Sequence, residues 1–312
     1  MTHAPADITR GLRLGLLGIV IFAVTLPMTR LAVGTPDAPQ MSGVFIAMGR
    51  AVVAGGLSIL FLLATRAPLP RRQDVLPLAI TSAGVVMGFP LLTSVAMRQV
   101  EAVHASVIVG ILPLATAAVG ALLHRQRPSA GFWACAGLGS VLVVTFAVLR
   151  SGAPGGALSL QLADVLLLMA MLCAAVGYAY GGRLSQHLRA DHVICWALVM
   201  ALPLTVPLSI ASWPAVPVRP AAWGALGYLA VFSMWLGFFA WYRGLALGGT
   251  VRVSQVQLVQ PFLSMLFAVP LLGERLDAVT VGFGLAVIAT VFIGKKMPVQ
   301  AAAPAKTLAT PG

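Results

Sequence analysis

Ten apolar stretches, each about long enough to cross a bilayer, follow one another with little chain between them. The hydrocarbon core of a membrane requires about 20 apolar residues in a helix that rises 1.5 Å per residue. The approximate spans are 12–32, 42–64, 75–97, 103–123, 130–149, 162–182, 193–212, 221–242, 251–272 and 278–294. Single runs of this length satisfy their backbone hydrogen bonds as helices, whereas membrane strands would alternate over about ten residues. The sequence therefore predicts an all-α integral membrane protein with ten transmembrane helices.

Composition agrees with a membrane protein, and the distribution of charge predicts its orientation. Hydrophobic residues make up 59% of the chain and charged residues 9%, whereas soluble domains carry roughly 25% charge. With a cytoplasmic N-terminus, the inner Lys and Arg are Arg10, Arg13, Arg66, Arg71, Arg72, Arg125, Arg127, Arg183, Arg189, Arg243, Arg252, Lys295, Lys296 and Lys306. The outer ones are Arg98, Arg150, Arg219 and Arg275. This bias predicts that both termini lie in the cytoplasm, and the expected location is the bacterial inner membrane. The net charge of +12 forms no basic patch on a folded surface, so no nucleic-acid partner is predicted.

The chain contains an internal repeat. Residues 104–145 align with residues 252–293 at an offset of 148, which pairs Ser106 with Ser254, Pro113 with Pro261, Leu123 with Leu271, Arg127 with Arg275 and Val143 with Val291. Equivalent points are five spans apart, and an odd number of spans reverses the orientation of the second copy. The sequence therefore predicts two inverted five-helix repeats, an organisation that is common in secondary transporters.

The second copy contains Pro261 and the run Leu271-Leu272-Gly273-Glu274-Arg275-Leu276. In this respect the chain resembles the EamA family of the Drug/Metabolite Transporter superfamily, whose repeats each have a Pro-containing helix, a "GER" turn and a Gly-rich last helix. The first copy departs from that pattern, because His124, Arg125 and Gln126 occupy the turn. The first span, FAVTLPMTRLAV, and Arg50 in the second also resemble the family's opening helices. The resemblance covers residues 12–294 and implies a transporter of amino acids or other metabolites.

The predicted organisation has four parts: a cytoplasmic tail over 1–11, a first repeat over 12–150, a second over 162–294, and a disordered cytoplasmic tail over 295–312. The expected partners are a small-molecule substrate and the lipid bilayer. Both repeats lie in one chain, so a monomer and a homodimer both remain open. No cofactor or metal site is predicted, since Cys135, Cys173 and Cys195 all lie inside apolar spans.

Two arginines within the spans are candidate substrate-binding residues, because ionisable groups inside a membrane are costly and rare. Arg50 lies roughly 13 Å along the second span, and no Asp or Glu lies at a comparable depth. It is either a clamp for a substrate carboxylate or a structural residue bonded to backbone carbonyls. Arg30 ends the first span and either extends outward or joins Arg50 in a small cationic site beside Pro27.

Further candidates come from polar and aromatic side chains. Gln257, Gln260 and Ser264 share one face of the ninth span, with Ser254 one turn away, and either contact substrate or bond neighbouring helices. Further members of the predicted site are Trp235 as a cavity wall, Tyr178, and Thr93 with Ser94, which the family resemblance places opposite the eighth helix. Trp241 and Tyr242 are predicted to anchor the interface.

The leading hypothesis is export of a small zwitterion or anion by alternating access. Coupling to protons through a deep carboxylate is not expected, and His104, at a span end, is the remaining candidate for a proton carrier. An integral-membrane enzyme is disfavoured, because no cluster of nucleophile, base or metal ligands is visible. The alternatives are a multidrug exporter of cationic compounds and a membrane interaction protein that does not transport.

Overall fold

The computed structural model of the protein describes residues 5–123, 127–150, 161–248, 253–296 and 299–300. Within these ranges the chain is helical, apart from two-residue strands that pair antiparallel, β1 (Arg127–Pro128) with β2 (Val299–Gln300). The helices are α1 (Pro5–Ala23 and Thr25–Val33), α2 (Gly43–Ala64), α3 (Arg72–Thr81, π-helical Ser82–Gly88, Phe89–Ala96), α4 (Ala102–Val109 and Leu112–Leu123), α5 (Ala130–Arg150), α6 (Leu162–Leu184), α7 (Ala190–Ala211), α8 (Pro220–Tyr228, π-helical Leu229–Leu236, Gly237–Gly248), α9 (3-10-helical Ser254–Val259, then Gln260–Leu272) and α10 (Ala278–Lys296).

Most of the described helices have the length and composition of membrane spans. Seven are long and apolar enough to cross a bilayer, in α1, α2, α3, α4, α6, α7 and α8. Three shorter apolar stretches are Trp133–Leu142, Val256–Leu272 and Ala278–Thr290. The prediction of an all-α membrane protein is therefore confirmed. The first helix begins at Pro5, before the predicted start of the span at residue 12, and most of the tail predicted as disordered lies outside the described residues.

Local sequence signals set several helix ends. Ser42 begins α2, where its Oγ accepts a hydrogen bond of 3.0 Å from the N–H of Phe45. Gln161 and Asp164 form a reciprocal capping box at the start of α6. Gly273 ends α9 in the left-handed conformation (φ 70°), which glycine adopts without steric cost. Each end thus satisfies backbone groups that the helix leaves unpaired.

The helix contacts follow the internal repeat. Helix α1 packs against α8 and α9, and its equivalent α6 packs against α3 and α4. The pairs α2–α7, α4–α9 and α5–α10 each join a helix to its own equivalent. The turn after α9 lies beside the start of α4, whereas the turn after α4 pairs with the chain that follows α10. Equivalent turns therefore lie at opposite ends of the helix bundle.

Glycines allow close approach at the corresponding contacts of the two repeats, α1 with α8 and α6 with α3. A Cβ atom on Gly11 of α1 would lie 2.5 Å from the backbone nitrogen of Gly248 in α8. On the other side, a Cβ on Gly84 of α3 would lie 2.5 Å from the carbonyl oxygen of Cys173 in α6. No larger residue fits at either contact without a shift of backbone. Small residues at helix crossings are the usual means of tight packing in membranes, where no hydrophobic force joins helices.

Candidate functional site

The irregular segments of several helices meet around one small cavity at the centre of the bundle. Its volume is about 20 Å³, which is room for about one water molecule. The lining residues are Phe22, Thr25, Leu26, Arg50, Val85, Phe89, Val109, Leu112, Ala174, Tyr178, Ser233, Phe238 and Gln260. They include residues at the break in α1, in both π-helical segments, and at the breaks in α4 and α9. Irregular backbone at membrane depth is tolerated where it lines a cavity, and it often marks a binding site.

The break in α1 has an identifiable cause. Pro27 has no N–H, so it cannot bond to the carbonyl of Ala23 four residues earlier. The hydroxyl of Ser264 in α9 donates to that carbonyl oxygen at 2.8 Å instead. Ser264 therefore bonds a neighbouring helix, which is the structural alternative that the sequence left open. Its bond fixes α9 against α1 beside the cavity.

The cavity lies between the two repeats, and its lining shows their equivalence. At the offset of 148 residues, Val85 corresponds to Ser233 and Leu112 corresponds to Gln260, and all four residues line the cavity. Leu26 and Ala174 form a third equivalent pair. In the pairs Val85–Ser233 and Leu112–Gln260, the first repeat supplies an apolar residue and the second supplies a polar one. The cavity is thus on the approximate symmetry axis but is chemically asymmetric.

Arg50 is the distinctive residue of the cavity. Its side chain is 2% exposed, and its Nη2 donates to the Oγ of Ser233 over a long 3.4 Å. Its Nε and Nη1 atoms are buried and have no partner among the described residues. A buried guanidinium ordinarily has its donors satisfied, because an unpaired buried charge is strongly unfavourable. Arg50 is therefore not held by helix carbonyls, and its free donors suit an anionic ligand.

Two hydroxyls flank this guanidinium. Thr25 Oγ1 and Ser233 Oγ share a hydrogen bond of 2.8 Å that joins α1 to α8. Both side chains line the cavity. Neither residue is among the site residues predicted from the sequence, because single Thr and Ser residues in apolar helices usually bond their own backbone. The one sequence signal for Ser233 is that it lies two residues before Trp235, the first of several aromatic residues in the eighth span.

Aromatic rings form much of the wall. Phe22 and Phe238 lie with ring centroids 5.0 Å apart, and Tyr178 lies 6.0 Å from the rings of both Phe238 and Trp241. Trp241 and Tyr242 are 1% and 0% exposed, so the prediction that they anchor the interface is wrong. They pack inside the bundle because the close approach of α1 and α8 brings this helix end into the interior.

The two glutamines of α9 differ in position. Gln260 lines the cavity. Gln257 is 1% exposed, outside the cavity lining, and neither polar atom of its amide has a partner among the described residues. The side chain of Ser254 lies outside the described part of the chain.

Three candidates lie away from the cavity. Thr93 donates to the carbonyl of Phe89 in its own helix at 2.6 Å. Ser94 is buried near Gly43 at the contact between α2 and α3. Trp235 packs on Phe239 with ring centroids 4.9 Å apart. Thr93 and Ser94 follow the π-helical segment of α3, and Trp235 lies two residues after Ser233, which does line the cavity. Position on the same helix therefore did not predict which of these side chains face the cavity.

Arg30 belongs to a second, wider space that we call the vestibule. The vestibule has a volume of about 730 Å³, and its charged lining residues are Arg30, Glu101, Arg219, Glu274, Arg275 and Asp277. Arg30 Nη1 donates to the carbonyls of Met97 at 2.5 Å and Arg98 at 2.7 Å. The expected joint site of Arg30 and Arg50 is therefore not formed, because the two arginines line different spaces.

Glu274 connects the vestibule wall to α4. Its carboxylate oxygens accept hydrogen bonds of 2.8 Å from the N–H groups of Ala102 and Val103, which begin α4. Burial raises the pKa of this carboxyl, and the two backbone bonds and Arg30 oppose the rise. The "GER" turn after α9 thus caps the broken helix of the other repeat.

Two histidine–aspartate pairs hold the ends of α6. His104 Nε2 lies 2.7 Å from Asp164 Oδ1 at the start of α6, and His187 Nε2 lies 2.9 Å from Asp74 Oδ1 just after its end. Both aspartates are buried. His104 is paired and only 13% exposed, so it is not a simply solvated histidine at a span end. Neither pair lines the central cavity.

Comparisons with known proteins agree with this architecture. The sequence matches the EamA-like transporter family over residues 9–149 and 161–294. It is 41% identical over 292 residues to the uncharacterized transporter YdeK of Bacillus subtilis (strain 168), which covers 92% of this chain and 98% of that protein. A protein of known crystal structure has a TM-score of 0.60 at 19% identity, covering 91% of this chain and 96% of the other, and shares the fold. The chain belongs to the EamA-like transporter family, as a multi-pass membrane transporter and not an enzyme.

Proposed function

We propose that this transporter exports a small metabolite bearing a carboxylate, an amino acid or a related zwitterion or anion, across the bacterial inner membrane by alternating access. All ten helices cross the bilayer as two inverted five-helix repeats, with both termini in the cytoplasm. The vestibule then opens to the outside, since it lies at the end of α1 remote from the N-terminus. One chain contains both repeats and the whole cavity lining, so a monomer is sufficient.

The observation that carries this proposal is the burial and incomplete hydrogen bonding of the Arg50 guanidinium. A guanidinium that is 2% exposed has two nitrogens without partners among the described residues, beside the Thr25–Ser233 hydroxyl pair. A carboxylate accepts two parallel hydrogen bonds from one edge of a guanidinium, which fixes its orientation. Each edge of Arg50 pairs one of these two nitrogens, Nε or Nη1, with Nη2, which has a second N–H besides the one that it donates to Ser233. A structural arginine would instead be satisfied by carbonyls, as Arg30 is.

The two spaces support alternating access. The cavity of about 20 Å³ is too small for a metabolite, while the vestibule of about 730 Å³ admits one. Substrate therefore reaches Arg50 only when helices part on one side. The π-helical segments and the breaks in α4 and α9 surround the cavity, and these are places where a helix changes shape at low cost.

A cationic-drug exporter is less well supported. No Asp or Glu is among the described residues that line the cavity, so a bound cation would meet Arg50 without a counter-charge. Like charges in an apolar site repel strongly. A membrane interaction protein without transport would have no reason to keep an unpaired buried arginine, whose burial is costly.

The test is to profile the culture medium by mass spectrometry from cells that overproduce wild type, Arg50→Gln or Arg30→Gln at matched membrane abundance. We expect a carboxylate-bearing metabolite enriched with wild type and Arg30→Gln but not with Arg50→Gln. Purified protein in liposomes preloaded with that metabolite then confirms saturable release. Equal enrichment with wild type and Arg50→Gln would remove Arg50 from the binding site. Depletion of a metabolite from the medium would reverse the proposed direction.

A further inference from the structure

We infer that the central cavity selects monoanions, so that it binds a small carboxylic acid with an apolar remainder in preference to the amino acid of the same carbon skeleton. This inference rests on the proposed function, because it assumes that substrate binds at Arg50. It narrows the substrate class from zwitterions and anions to anions.

The charges around the cavity carry the inference. Among the described residues that line the cavity, Arg50 is the one that is charged at neutral pH, since the others have apolar, hydroxyl or amide side chains. The acids of the described chain that lie nearest the ends of α6 are committed to histidine partners. Three others, Glu101, Glu274 and Asp277, line the vestibule and not the cavity. A bound carboxylate therefore neutralises the cavity, whereas the ammonium of a zwitterion would find no carboxylate there.

The wall offers an ammonium only weak compensation. The available partners are all neutral: the faces of Tyr178 and Phe238, the hydroxyl oxygens of Thr25 and Ser233, and the amide oxygen of Gln260. Cation–π contacts and neutral hydrogen-bond acceptors stabilise an ammonium by less than its transfer to membrane depth costs. The remainder of the ligand meets Phe22, Phe89 and Leu26, which suit an apolar group. We therefore expect the acid to bind about ten- to a hundredfold more tightly than the matched amino acid.

The experiment measures binding to the full chain in lipid nanodiscs and not flux. Hydrophobic acids cross membranes unaided, and this background would obscure transport by the protein. The midpoint of thermal unfolding is measured as a function of ligand concentration. The ligands are three pairs of an acid and the amino acid with the same carbon skeleton: 4-methylpentanoate with leucine, 3-phenylpropanoate with phenylalanine, and propanoate with alanine. The corresponding amines serve as cationic controls. The proteins are wild type, Arg50→Gln and Arg30→Gln. Arg30→Gln is the matched control, since Arg30 is a second membrane-embedded arginine outside the cavity.

We expect at least one acid to raise the midpoint of wild type and Arg30→Gln at a concentration about tenfold or more below that of its amino acid. Amines should have no effect, and Arg50→Gln should lose the response. An equal or stronger response to the amino acid, still dependent on Arg50, would overturn the inference and leave the proposed function intact. The absence of any response that depends on Arg50 would overturn both.

Discussion

The central cavity and the vestibule each contain an arginine from a membrane-embedded helix, but the two guanidinium groups have opposite surroundings. Arg30 bonds two backbone carbonyls and shares its space with Glu101 and Glu274. Arg50 has one long hydrogen bond, two donors without partners among the described residues, and no acid in its lining. The comparison separates an arginine that stabilises the fold from one that is available to a ligand, although both look alike in the sequence.

The largest effect should come from Arg50→Gln, which tests whether the arginine of the central cavity binds the substrate. Flux of the substrate should fall about a hundredfold or more, because the carboxylate loses a charged, bidentate partner. The unfolding midpoint without substrate should stay level or rise, since the substitution removes a buried charge that lacks a partner. Flux in liposomes and thermal unfolding check the two effects. A lower midpoint with proportionate loss of flux would assign Arg50 a structural role.

Arg30→Gln should show the reverse behaviour. Loss of the bonds to Met97 and Arg98 should lower the free energy of unfolding by about 1–3 kcal/mol. Flux per folded molecule should remain within about threefold of wild type, because Arg30 does not line the cavity. Unfolding in detergent and flux normalised to folded protein measure these quantities. A loss of flux as large as that of Arg50→Gln would break the distinction between the two spaces.

Glu274 tests how the vestibule wall contributes to stability. Glu274→Ala removes the acceptors for the Ala102 and Val103 N–H groups and should lower the free energy of unfolding by about 1–2 kcal/mol. Glu274→Gln keeps one acceptor oxygen and should lose about half as much. Loss of transport by Glu274→Gln at normal abundance and stability would instead place this turn on the substrate path.

The smallest effect is expected at Ser233, which supports the guanidinium without charge. Ser233→Ala removes the bonds to Thr25 and Arg50 and should weaken substrate binding about three- to tenfold. Ser94→Ala is the control, a buried serine outside the cavity, and should leave affinity unchanged. Binding is measured by ligand-induced shifts of the unfolding midpoint. Equal effects of both substitutions would show that Ser233 acts only through packing.

Much of the architecture could be predicted because it depends on local composition. Helical spans follow from long apolar runs, and the repeat follows from Pro113, Pro261 and the turns that follow them. Of the candidate site residues, Arg50, Gln260 and Tyr178 line the cavity. Arg30, Gln257, Thr93, Ser94 and Trp235 do not. Thr25 and Ser233 were missed, because a hydroxyl in an apolar helix gives the same signal whether it bonds its own backbone or a ligand.

The sequence by itself determined that this protein is helical, lies in a membrane and contains two repeats, since hydrophobicity and spacing act along the chain. Only the tertiary structure decided which polar groups face one another. Three breaks and two π-helical segments change the direction of side chains about their helices. Contacts between distant helices satisfy Arg30, whereas two nitrogens of Arg50 have no partner among the described residues. Whether a buried charge has a partner depends on geometry across the bundle, and no local pattern contains that information.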